Sequence, residues 1–149
     1  ERTDKMIETV KHKKKFLALI IKSKKIKKKG TNFFSPKKFT HQVGFINRPT
    51  DYIVEPHTHL DFTRTLNKTS EVLYIKNGIL RVDFYTNKKK YLFSKLLKKE
   101  DLIILNDGSH GFKVIKKCKL IEIKQGPFYK SLDKKRFKKI NEKKIKIKK

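Results

Sequence analysis

The residues best suited to chemistry lie in Glu55-Pro56-His57-Thr58-His59, with Glu71 and His110 downstream. On an extended strand, the two-residue spacing of His57 and His59 points both imidazoles to one face, which Glu55 and Ile53 share. Glu71 opens the run Glu71-Val72-Leu73-Tyr74-Ile75-Lys76-Asn77-Gly78, and His110 stands in Asp107-Gly108-Ser109-His110-Gly111-Phe112. By the same alternation Glu71, Leu73 and Ile75 share a face, as do His110, Phe112 and Val114. Three imidazoles and a carboxylate converging from three strands suffice for one divalent transition metal, with positions left open for a substrate. Fe, Mn, Zn and Ni all accept such donors. Glu55 is the other carboxylate on these faces. If Glu71 is a ligand, Glu55 is the acid available as a catalytic base.

These side chains need short strands to carry them, and the chain supplies the pattern. Phe16 to Lys22 reads as a buried strand, and Ser23 to Gly30 as a lysine-rich turn or edge strand. Phe39 to Asn47 and Tyr52 to His59 read as strands around an Arg48-Pro49-Thr50-Asp51 turn. An eleven-residue loop, Leu60 to Ser70, leads to Glu71. Glu71 to Ile75 and Ile79 to Tyr85 flank Lys76-Asn77-Gly78, which has the composition of a hairpin turn. Tyr91 to Leu97 and Glu100 to Leu105 follow. His110 to Ile115 and Lys119 to Gln125 read as a last hairpin, stopped by Gly126-Pro127. About nine short strands separated by turn residues indicate an all-β barrel or sandwich. Residues 1–10 have a weak helical pattern, and the basic tail 131–149 reads as a short helix or a frayed end.

Pro56-His57-Thr58-His59, Glu71 with six residues before Gly78, and a Glu100-Asp101 turn into a strand and His110 resemble the two motifs of the cupin superfamily. The resemblance covers about residues 40–126. It implies a double-stranded β-helix, or jelly-roll barrel, with His57, His59, Glu71 and His110 as metal ligands. The spacer from His59 to Glu71 is eleven residues, where the common motif has three or four. The positions expected to be glycine before Asp101 and proline before Gly108 are Glu100 and Asp107. The segments around Ser109-His110-Gly111-Phe112 and Gln125-Gly126-Pro127-Phe128 are distantly similar to mannose-6-phosphate isomerase-like cupins. On this reading residues 1–30 are a basic segment with a strand, 31–129 the cupin barrel and 130–149 a basic tail. The resemblance also implies a homodimer, to which Phe16–Ile21 could contribute.

The other residues bound the alternatives. Arg64, in the long loop, is suited to gripping a carboxylate or phosphate. Gln125 shares a face with Ile121 and Ile123 and is a second substrate-binding candidate. His12 and His41 read as ordinary surface or hydrogen-bonded histidines, and Glu71 could alternatively pair with Arg81. Cys118, the one cysteine of the chain, excludes an intramolecular disulfide and reads as a buried thiol, consistent with a cytoplasmic protein. The longest apolar run, Phe16 to Ile21, is far short of the roughly 20 residues of a membrane span. No glycine-rich phosphate loop or zinc-finger cysteine spacing is present.

The 149 residues carry 41 basic and 14 acidic side chains, a net charge of +27. Residues 1–30 and 130–149 hold 23 of the basic ones, leaving the middle only +9 (18 − 9). With 36 lysines against 5 arginines, the balance reads as lysine-rich composition on solvated faces, since specific nucleic-acid readers rely on arginine forks. Three function classes remain: a metal-dependent isomerase or epimerase (or dioxygenase) acting on a small polar metabolite such as a sugar, a sugar-binding module without turnover, and a polyanion binder. No specific nucleic acid and no membrane is expected as a partner.

Overall fold

The structure, a computed structural model, describes residues 5–129 and 132–149. Eight strands form among them: β1 (Ile7–His12), β2 (Lys15–Lys22), β3 (Gly30–Phe33), β4 (Gly44–Asn47), β5 (Glu71–Tyr85), β6 (Tyr91–Lys98), β7 (Asp101–Leu105) and β8 (Ser109–Lys124). All strand pairs are antiparallel. The protein is all-β, as expected, but its main sheet does not close into a barrel. That sheet runs β1-β2-β7-β5-β6, with β8 along the other edge of β5, while β3 and β4 pair separately.

The architecture follows from one long ribbon. β5 and β8 pair from Glu71↔Lys124 to Tyr85↔Ser109, and the register shifts around Asn77 and Gly78. Bulges bend a ribbon without ending it. The first half of β5 pairs with β7 and the second half with β6. The bend therefore turns one sheet into two facing layers. Period-two alternation then sorts the apolar side chains. Ala18, Ile20, Leu73, Ile75, Ile103 and Leu105 meet Leu80, Val82, Phe84, Phe93 and Leu97 between the layers. Their neighbours Leu19, Ile21, Val72 and Ile104 point the other way and pack under Phe39, Phe34 and Val43.

Several expectations are corrected here. Lys76-Asn77-Gly78 is not a hairpin turn. Gly78 has φ +86°, and a Cβ there would meet the Lys117 carbonyl oxygen at 2.1 Å. It is a glycine demanded by close backbone approach inside a continuous strand. Likewise β8 is one 16-residue strand, not a hairpin. Of the strand read over 39–47 only Gly44–Asn47 forms, because Ser35, Pro36 and Phe39 turn the chain and are tied by Gln42 and Val43. Tyr52 to His59 forms no strand. Every residue from 48 to 69 is exposed, without partners in any sheet. Ile7–His12 is a strand rather than part of a helix; residues 1–4 lie outside the described residues. Phe16–Ile21 sits between β1 and β7 with Leu17 to Ile21 buried, so it offers no surface to a second copy.

The described tail, 132–149, opens on a turn at Leu132 and Asp133, holds one 3-10 turn at Glu142–Lys144 and forms no α-helix; residues 130 and 131 lie outside the described residues. It crosses the outer face of the second layer. Lys148 N–H donates to the Ser94 carbonyl and Ser94 N–H to that of Lys146 (2.9 and 2.8 Å). Beneath it Arg81 is buried against Asp83 (2.7 Å) and reaches Glu142 (2.8 Å). Among the described residues no helix is long and apolar enough to cross a membrane.

Candidate functional site

The bend at Gly78 brings the far ends of the ribbon together. Glu71 starts β5 and His110 lies at the start of β8, and both share the inner face with Leu73 and Phe84. Nε2 of His110 lies 3.0 Å from Oε2 of Glu71. The His110 bond is the main reason the Glu71 carboxyl is held below its ordinary 4.5. Burial opposes the shift, and the charges of His110, Lys134 and Lys124 add to it. Glu71 is therefore an ionised carboxylate set against an imidazole, a pair in which the carboxylate orients the ring.

A pocket of about 210 Å³ opens beside this pair, lined by Lys68, Thr69, Asn87, Leu105, Asn106, Asp107, Gly108 and His110. Apart from Leu105, its wall is made of groups that hydrogen-bond. Lys68 Nζ sits 3.1 Å from Asp107. Burial pushes the Asp107 carboxyl up, but the Gly108 N–H, Lys68 and Asn87 outweigh it and hold it below its ordinary value. Nearby, Lys124 on β8 pairs with Asp133 at 2.7 Å.

The sequence-derived candidates separate into groups. Glu71 and His110 come together as expected of two inner-face residues. His57 and His59 lie edge to face with ring centroids 5.1 Å apart, on the exposed segment after β4, where His57 Nδ1 donates to the Glu55 carbonyl (3.0 Å). Glu55 is exposed there too. Arg64 stacks on Phe62, its guanidinium carbon 3.5 Å from the ring centroid. Gln125 is a staple: Ser70 N–H donates to its Oε1 (2.8 Å), and its Nε2 donates to Thr40 Oγ1 and His41 Nδ1. Partial burial lowers the His41 imidazole. Arg81 pairs with Asp83 and Glu142, not with Glu71. Cys118 is half-buried against the main core, and burial raises its thiol.

Among the described residues no three His, Cys, Asp or Glu side chains gather closely enough to hold a metal. The four residues read as ligands supply two separate pairs within one chain, and the single chain does not fit a four-ligand metal. Lys68, Asn87, Asn106 and Asp107 were missed from the sequence. Asn106-Asp107-Gly108 signalled only a turn, and nothing local marks Lys68 as its neighbour. No family model, curated protein or solved structure matches the chain.

Proposed function

We propose that the chain is a cupin-like protein acting on a small hydroxylated metabolite, a sugar or sugar derivative, at the Glu71–His110 mouth, and that it isomerises or epimerises that metabolite. The observation that carries this reading is the 3.0 Å carboxylate–imidazole contact at the rim of a polar pocket. Glu71 accepts from Nε2 and so leaves Nδ1 of His110 free to take a proton. Nδ1 removes the proton from the carbon next to a substrate carbonyl and returns it on the same face to the neighbouring carbon, as the hydroxyl proton passes to the former carbonyl oxygen; in epimerisation solvent supplies the proton to the other face. Glu71 stabilises the imidazolium in between. Lys68, Asn87 and Asn106 offer donors to the developing enolate oxygen and to hydroxyls. Since the single chain does not assemble the four-ligand set, no step is assigned to a metal.

The test is proton exchange in D2O. Hexoses, hexose phosphates and nucleotide-linked sugars are incubated with the protein, and loss of the proton next to the carbonyl is followed by NMR. Exchange on one substrate class should fall by roughly 10²-fold or more in His110→Gln, the usual worth of a positioned base. Exchange indifferent to that substitution would sink the proposal. Saturable binding without exchange would put the binding module in its place.

A further inference from the structure

One chain leaves two complementary surfaces bare. The first is the outer edge of β8. Among the described residues this strand pairs with β5 alone, so 16 residues, about 50 Å at roughly 3.3 Å each, present unpaired backbone groups. Such an edge invites another strand unless it is shielded. Here it is apolar as well: Phe112 and Val114, on the inner face, are 44% and 56% exposed, and Ile121 and Ile123 are exposed on the outer one. The second surface is the segment between β4 and β5. It exposes Ile53 (72%), Val54, Leu60 (83%) and Phe62 with no sheet to cover them. The two also differ in charge. Residues 51–61 hold three carboxylates and no lysine or arginine, in a chain of net +27, whereas β8 holds five lysines and one glutamate.

We propose that residues 51–60 of one copy add as an antiparallel strand to β8 of a second copy, reciprocally, so that the Glu71–His110 mouth is completed by His57 and His59 of that other copy. A register that sets His59 opposite His110 also sets His57 opposite Phe112 and Glu55 opposite Val114. All of these then lie on the inner face, over Phe112 and Val114, which a single chain leaves exposed. Ile53 meets Lys116, with Glu55 and Asp51 on its two diagonals, within reach of the ammonium group. Pro56 lacks an N–H, which a strand tolerates only at an outer edge. The added strand thus closes the sheet against further addition. Reciprocal exchange is a closed two-fold arrangement that buries both surfaces twice. The proposal accounts for the split of the ligand-type residues into two pairs. It borrows from the reading of the site only the placement of His110.

The same register puts Asp51 opposite Cys118, which permits a direct test. A chain carrying Asp51→Cys with Cys118→Ser is co-refolded with the unaltered chain and oxidised, beside companions carrying Thr50→Cys or Tyr52→Cys. A disulfide-linked dimer of twice 17.7 kDa, formed in the mixture and in neither chain alone, is the expected result. Light scattering should give the same mass without oxidation. Ile53→Asp with Val54→Asp should return it to one chain; neither side chain packs on the body of a single copy, so folding is retained. Cross-linking within one chain in Asp51→Cys bearing its own Cys118, no mixed disulfide at any of the three positions, or a dimer that survives the double substitution would each overturn the proposal. None of these readings needs a substrate, so they fail or succeed apart from the proton-exchange test.

Discussion

At the scale of single residues, the pair that matters is Glu71 with His110. Its carboxyl titrates lower in the folded chain than in the unfolded one, so the unfolded chain takes up the proton first as the pH falls. The stabilisation is complete above about pH 4.5 and is lost as the pH drops through the folded value. Glu71→Gln should therefore cost about 1 kcal/mol at neutral pH, discounted for partial exposure. It should also flatten the acid limb of stability measured by urea unfolding between pH 6 and 3. An unchanged acid limb would mean that the contact contributes nothing to folding. Both residues were legible as chemistry-bearing because alternation assigns their faces from a few neighbours. Their meeting was less legible, since it depends on a bend 7 residues after Glu71.

At the scale of elements, Gly78 decides the shape. Its positive φ and the Lys117 carbonyl leave no room for a Cβ. Gly78→Ala should lower stability by about 2–3 kcal/mol, of which strain at φ > 0 supplies the first part. A shifted urea midpoint at constant slope checks this. Asn77-Gly78 looked like a hairpin turn because turn chemistry is local. What overrode it is the long pairing with β8, in which Lys119 N–H donates to Asn77 Oδ1 at 2.8 Å. The expected strand over 52–59 failed for the converse reason. Its alternation is strand-like, but a strand needs an edge to pair with, and within one chain this segment meets none of the free edges.

At the scale of the whole molecule, the tail and the second layer act as one unit through Arg81. Removing its side chain leaves Asp83 buried with Ser94 as its remaining close partner. Arg81→Ala should cost about 3 kcal/mol, as breaking a buried ion pair does, and should deprotect the Ser94 amide in hydrogen exchange. Glu142, held mainly by Arg81 and then by Lys113, is lowered to about 2. Its contribution is full above pH 4.5 and disappears only as the pH falls to about 2. Tail protection at Lys148 N–H should persist to pH 3 in the unaltered chain and be weakened at neutral pH in Glu142→Gln. The sequence by itself determined the all-β class, the strands from 16 to 22 and from 71 to 105, and which faces of β5 and β8 carry Glu71 and His110. These follow from a two-residue period and from turn residues, both local. Only the tertiary structure decided that β5 and β8 run unbroken through their bulges, that the basic tail is an extended strap on Arg81, and that His57 and His59 stand apart from Glu71 and His110. Those outcomes depend on which distant backbone edges meet, and pairing between edges is settled by the whole set of competing strands rather than by any one segment.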